Sequence, residues 1–173
     1  MNLKEPPLSS AIEDKIARAV SCCEDFKAQF LKDRTTVDLL AGLENAIQAS
    51  HHEMQKAAIA ALCRECDQKE GGSCCGAGLE SRYDAWLLLI NLLLGGELPS
   101  KRHDRKSCFF LGEHGCLLKA RHVICVNYLC KKITDQVDPC KIQGLREKEG
   151  IELEILFRMH ERIKKTTREW TKS

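Results

Sequence analysis

Cysteine dominates the chemistry open to this chain. Eight of its 11 cysteines lie between residues 63 and 130: Cys63, Cys66, Cys74, Cys75, Cys108, Cys116, Cys125 and Cys130. A thiol is a small hydrophobe at home in a core, so one or two would need no explanation. Eight within 68 residues require a chemical role, and the candidates are metal ligation, disulfides and thiol redox. Cys63-Arg64-Glu65-Cys66 lets two sulfurs converge on one ion, as zinc sites and iron–sulfur clusters require. The same spacing serves dithiol redox centres, but no βαβ pattern surrounds it here. No His follows it, which excludes covalent haem attachment. Adjacent cysteines such as Cys74 and Cys75 point apart, so they feed two neighbouring metals, or one ligates with the other behind it. Eight sulfurs equal two four-sulfur shells. A four-thiolate shell around a divalent ion carries a net charge of about −2. Arg64, Arg82, Arg121, Lys131 and Lys132 are near enough in sequence to offset it, and are equally ordinary surface charges.

Helices must position these residues. Ser10 and Glu13 have capping-box spacing, and Ile12, Ile16, Ala19, Val20, Cys23, Phe26 and Phe30 recur at helical intervals. Cys22 and Cys23 read as core or boundary thiols. Thr36 is the expected cap of a second helix whose stripe, Val37 to Leu62, reaches the first cysteine pair, with a bend expected near His51-His52. From Cys63 to Gly78 the periodicity stops, and Gly71-Gly72, Gly76 and Gly78 suit a loop wrapped around a ligand. Residues 80–95 form an apolar central helix, nearly hydrophobic all round and ended by Gly95-Gly96. Cys108 to Cys116 suits a turn between two short extended pieces. Val123 to Ile133 suits one short helix carrying Cys125 and Cys130. Asp138-Pro139 and Gly144 predict a loop before a final helix over 145–170. The expected fold is mainly α: a single-domain helical bundle with N-terminal helices over 1–62 and a cysteine-rich, loop-built metal-binding flank over 63–140.

Bulk properties narrow the setting. The chain has 173 residues, 30% charged and 5% aromatic, with a formal net charge of +2. That balance argues against a nucleic-acid partner, and the basic run Lys101 to Lys106 reads as a solvated loop. The longest apolar run, Trp86 to Leu94, is far below the ~20 residues of a spanning helix. Without an apolar leader at Met1 to Pro7, the expected location is the cytoplasm, away from membranes. Clustered cysteines in a reducing compartment favour metal over a disulfide framework. Disulfides stay open as the minor alternative, because a secreted chain without its signal would look the same.

The cysteine segments resemble a family. Cys63-Arg64-Glu65-Cys66, Cys74-Cys75-Gly76, Cys108-Phe109-Phe110-Leu111, Gly115-Cys116 and Arg121-His122-Val123-Ile124-Cys125-Val126-Asn127-Tyr128-Leu129-Cys130 are similar, in order and late spacing, to the CxxCxxCC family of zinc- or iron-chelating proteins. Two departures stand out. Seven residues separate Cys66 from Cys74, and His122 stands where the motif has Pro. The resemblance implies that the eight cysteines bind metal, as an iron–sulfur cluster or iron, alternatively zinc. Cys140, His114 and His122 are candidate extra ligands. Three functions follow: a redox or electron-transfer metalloprotein, a metal-dependent enzyme similar to protein-lysine N-methylases, or a zinc-stabilised module whose terminal helices meet a protein partner. An enzyme would need a pocket, for which Tyr83, Trp86, Glu113, His114 and Tyr128 are candidates. No glycine-rich turn for a methyl donor is present.

Overall fold

The most apolar segment of the chain forms the centre of the molecule. In the computed structural model, which describes residues 7–69 and 74–170, helix α4 (Ala85–Leu93) is buried at every position except Leu92. Asp84 starts it by accepting the Leu87 N–H at 2.8 Å, and Gly95, at φ 75°, ends it in the left-handed region that glycine enters without strain. Leu88, Leu89 and Ile90 are fully enclosed with Ala19, Phe30, Leu43, Met159 and Ile163 in one core.

Around it pack α1 (Ile12–Lys32), α2 (Arg34–Lys56) and α7 (Pro139–Trp170), with α1 against α4 and α2 along α7. Trp170 closes one end on Phe26 and Phe30, at centroid distances of 5.5 and 4.8 Å. Cys22 is buried in the core, as a packing residue, and Cys23 packs against it. The fold is mainly α, as expected. Among the described residues no helix is long and apolar enough to cross a membrane.

Several local readings are corrected. Ser10 does not cap α1, whose N-cap is Ala11 without a side-chain bond. Asp33, not Thr36, caps α2: its carboxylate accepts the Thr36 N–H at 2.9 Å and the Thr36 hydroxyl at 2.5 Å. The bend falls at Ala57-Ala58 rather than His51-His52. Ala58 adopts φ 57°, a left-handed conformation costing a β-carbon-bearing residue about 1–2 kcal/mol. The turn buries Ala57 and Ile59 in a second, small core with Ile133, Val137 and Leu145. The chain then resumes as α3 (Ile59–Lys69), so Cys63 and Cys66 lie one turn apart on a helix, not in a loop. The expected freedom at Gly71-Gly72 lies outside the described residues, as do residues 1–6.

The C-terminal side differs too. Val123 to Ile133 is two helices, α5 (Val123–Asn127) and α6 (Lys131–Gln136), with Cys130 as the N-cap residue of α6. Asp138-Pro139 and Gly144 do not form a loop. Proline suits the first helical position because its missing N–H is not needed there, and α7 runs 32 residues from Pro139. Gly144 and Gly150 each cost about 1 kcal/mol of helix propensity, which burial of Leu145, Leu156, Met159 and Ile163 outweighs. The expected hairpin is present as β1 (Leu111–Gly112) and β2 (Gly115–Cys116), antiparallel with Leu111 opposite Cys116.

Asp33 also ties the bundle ends together, since Arg162 of α7 grips it with Nη2–Oδ1 at 2.8 Å and Nε–Oδ2 at 3.2 Å. The Thr36 hydroxyl does most to hold the Asp33 carboxyl below its ordinary range, with the Thr36 N–H and Arg162 adding to it against burial. Asp33→Ala is expected to lower unfolding stability by about 1–3 kcal/mol at neutral pH, read by urea titration. The folded carboxyl is more acidic than the unfolded one. Its stabilisation is therefore complete above the unfolded value, about 3.9, and fades as pH falls through the folded value. The gap between wild type and variant should narrow at acid pH; a gap that widens there would refute the assignment.

Candidate metal centre

Three buried side chains in and before α4, with one backbone contact outside it, hold the segments of Cys75, Cys108 and Cys125. Tyr83 and Asn91, each 1% exposed, hold the chain on either side of Arg121. The Asn91 amide donates to Ala120 O at 2.9 Å and its carbonyl accepts the Ala120 N–H at 3.0 Å. The Tyr83 hydroxyl accepts the His122 N–H at 3.0 Å and lies 3.5 Å from Cys125 Sγ as its donor. Glu80, 7% exposed, forms the third anchor. Its carboxylate accepts the Gly78 N–H at 3.0 Å and the Phe109 N–H at 3.4 Å, and pairs with Arg102. The fourth anchor is backbone: Cys108 N–H donates to Cys75 O at 2.6 Å, and Gly76 bridges Ser107.

Arg102 therefore leaves the basic run to serve the fold, bonding Ser107 O as well as Glu80. Lys101, His103, Arg105 and Lys106 remain exposed, as a solvated loop should. Burial pushes the Glu80 carboxyl up, but the Arg102 hydrogen bond and charge, with the Phe109 N–H, hold it below its ordinary range.

Several of the eight cysteines influence one another's thiols. Cys63 of α3 is raised by burial first, then by Cys74, Cys130 and Cys66, in that order. Cys63 and Cys130 also pack on the small second core. Cys75 is raised by its hydrogen bond with Cys74, then by burial, and further by the charges of Cys74, Cys116 and Cys125. Burial pushes Cys108 up to about 11, with Cys116 and Cys125 contributing. Cys75, Cys108 and Cys125 belong to the main core. Cys74 thus bears on both Cys63 and Cys75, and Cys116 and Cys125 bear on both Cys75 and Cys108.

Exposure varies across the set. Cys108 is buried, Cys63, Cys66, Cys75, Cys125 and Cys130 are half-buried, and Cys74 and Cys116 are exposed. Crowding still makes burial the largest influence raising the Cys116 thiol. No disulfide links cysteines among the described residues. Nor do three or more His, Cys, Asp or Glu side chains there converge as a ready metal cage. The thiols reach one another electrostatically without meeting at a point. Thiolates are the donors that zinc and iron–sulfur centres take.

The other candidate ligands stand apart. His114 is exposed in the hairpin turn, and Cys140 is exposed in the first turn of α7. His122 caps α5, its Nδ1 accepting the Ile124 N–H at 3.2 Å. Its φ of −61° is the value proline would fix, so the turn before Cys125 is not loosened. Tyr83 and Trp86 are enclosed at 1% and 5% exposure, which removes them from the wall of an open pocket, whereas Tyr128 is 54% exposed.

No family model, curated protein or solved structure matches the chain.

Sequence reading passed over Tyr83, Asn91 and Glu80 as anchors. A lone Asn inside the run Leu87 to Leu94 was the available signal, because a buried amide demands partners. Asn91→Leu is expected to destabilise the chain by about 2–4 kcal/mol, since it orphans both backbone groups of Ala120. It should also speed alkylation of Cys125 under native conditions, read by mass spectrometry; unchanged alkylation would show that Asn91 does not hold that segment. His122→Pro should keep the backbone angle yet cost about 1–3 kcal/mol in urea unfolding, through loss of the N–H that Tyr83 accepts and of the α5 cap.

Proposed function

We propose that this chain is a cysteine-ligated metalloprotein, with Cys63, Cys66, Cys74 and Cys130 forming one shell and Cys75, Cys108, Cys116 and Cys125 the other. One observation carries the reading: cysteine segments far apart in sequence are held together, Cys75 against Cys108 through their backbones and Cys63 with Cys130 on the small core. The resemblance of the cysteine segments to the CxxCxxCC family supports it. An iron–sulfur cluster or iron in these shells would supply electron transfer or redox chemistry. The protein's own part is to gather the sulfurs, exclude water on the core side through Phe109, Phe110 and Tyr83, and bring the groups within reach of each other. A reducing cytoplasm suits such a set of thiols. Convergence onto a metal would displace the thiol protons, and metal sites commonly close only as the ion binds.

A zinc-stabilised interaction module is the second reading. Cys63 and Cys130 flank a core of few side chains, where a closed thiolate shell would add stability. Leu31 of α1 and Ile151 and Phe157 of α7 are exposed apolar residues on the terminal helices, available to a protein partner. The enzyme reading has less support, because Tyr83 and Trp86 are buried away from substrate.

Protein purified without oxygen is expected to be brown, with broad visible absorbance and bound iron and sulfide. A colourless protein with stoichiometric zinc would replace the cluster with the zinc module, and absence of any thiolate-bound metal would remove both. Cys63→Ser and Cys108→Ser should each remove roughly half the metal, and the double variant nearly all, because they address different shells. Loss of all metal from either single variant would mean one shared site instead of two.

A further inference from the structure

The contact that gathers the Cys108 segment also sets two cysteines face to face. Gly76 and Ser107 form an antiparallel bridge. On either side of it the Cys108 N–H donates to Cys75 O at 2.6 Å and the Ala77 N–H to Lys106 O at 2.9 Å. This register places Cys75 directly opposite Cys108. Opposed residues of an antiparallel pair have Cα atoms about 5.5 Å apart and project their side chains to one face. Burial agrees, since Cys108 belongs to the main core and Cys75 packs against it. Disulfides span Cα separations of about 4.4–6.8 Å, so the backbone spacing suits one. In the hairpin, by contrast, Cys116 stands opposite Leu111.

We infer that Cys75 and Cys108 are a redox modification site, closed into a cross-segment disulfide by an oxidising low-molecular-weight disulfide such as oxidised glutathione. Cys75 is half-buried and Cys108 only 6% exposed, so the oxidant meets Cys75 first. The Cys75 sulfur attacks one sulfur of the oxidant, whose S–S bond breaks, and one thiol leaves. The Cys108 sulfur then attacks Cys75 Sγ, and the second thiol leaves. The two cysteines give up two electrons and two protons, and the oxidant departs as two thiols. Opposed β-carbons lie about 4.5–5.5 Å apart, against about 3.5–4.5 Å across a disulfide. Closure must therefore draw the segments together, and a strained bridge of this kind is readily reduced. The pair stays open in a reducing medium and closes when thiol oxidants rise. The consequence for metal rests on the metal-binding reading above: closure withdraws two thiolates and releases the ion they hold.

The test equilibrates the full, metal-free chain with mixtures of oxidised and reduced glutathione, quenches with acid, alkylates, and maps linked peptides by mass spectrometry. Cys75–Cys108 is expected as the main intramolecular link, reversed by excess reduced glutathione. Cys74→Ser should keep it. In concentrated urea its share should fall roughly tenfold or more, because the two positions are far apart in sequence and nearer cysteines then pair first. Cys108 linked chiefly to another cysteine, Cys75 linked to Cys74 instead, both thiols still alkylated in the most oxidising mixture, or an equal share in urea would each overturn the pairing. Titration with Co²⁺ reads the consequence. The reduced chain is expected to show a thiolate–cobalt band that loses at least one equivalent on closure and regains it with reductant. An unchanged band would overturn the coupling to metal. A reduced chain without that band would overturn the metal-binding reading and leave the disulfide map standing.

Discussion

The buried amide of Asn91 is the constraint on which the cysteine-rich side depends. An amide inside an apolar helix is costly unless its donors and acceptor are filled, and here it is filled by both backbone groups of Ala120 and by Leu87 O. That forces the segment entering Arg121, Cys125 and Cys130 onto the centre of the molecule. Tyr83, at the mouth of the same helix, repeats the device one residue beyond Arg121. Because α4 is buried in the core, the two anchors have little freedom, and the cysteine segments inherit their position from the best-packed element.

The remaining segments dock on that frame by different means. Glu80 and the backbone of Cys75 and Gly76 gather the Cys108 segment through hydrogen bonds to its backbone. Cys63 and Cys130 come together through a small hydrophobic core made by the turn at Ala58. Two kinds of support are thus at work: polar side chains inside the core place the Cys108 and Cys125 segments, and apolar packing at its edge places Cys63 and Cys130.

Charge placement follows the same logic. Arg102 is drawn from an otherwise solvated basic run because Glu80, buried against Gly78 and Phe109, needs a cation. Arg146 serves Glu149 in the same way while also bonding Asn127 O at the end of α5. Against these satisfied pairs, the buried Nε atoms of Arg18 and Arg121 have no hydrogen-bond partner among the described residues.

The sequence by itself determined the mainly helical class, the largely buried identity of residues 85–93 and the hairpin around Glu113-His114. Each of these is written in periodicity, glycine placement or residue type. Tertiary structure decided what those rules cannot reach. Cys63 and Cys66 sit on a helix because the Ala57-Ala58 turn buries Ile59, and α7 passes through Gly144 because its apolar face is worth more than glycine's entropy. The packing of Cys63 and Cys130 on one small core brings together segments as far apart as α3 and α6. Asn91 signalled that an amide needed partners; only the packed fold showed that they were the backbone before Arg121. Spacing along a chain specifies local conformation, whereas the placing of distant cysteine segments depends on which buried groups demand satisfaction.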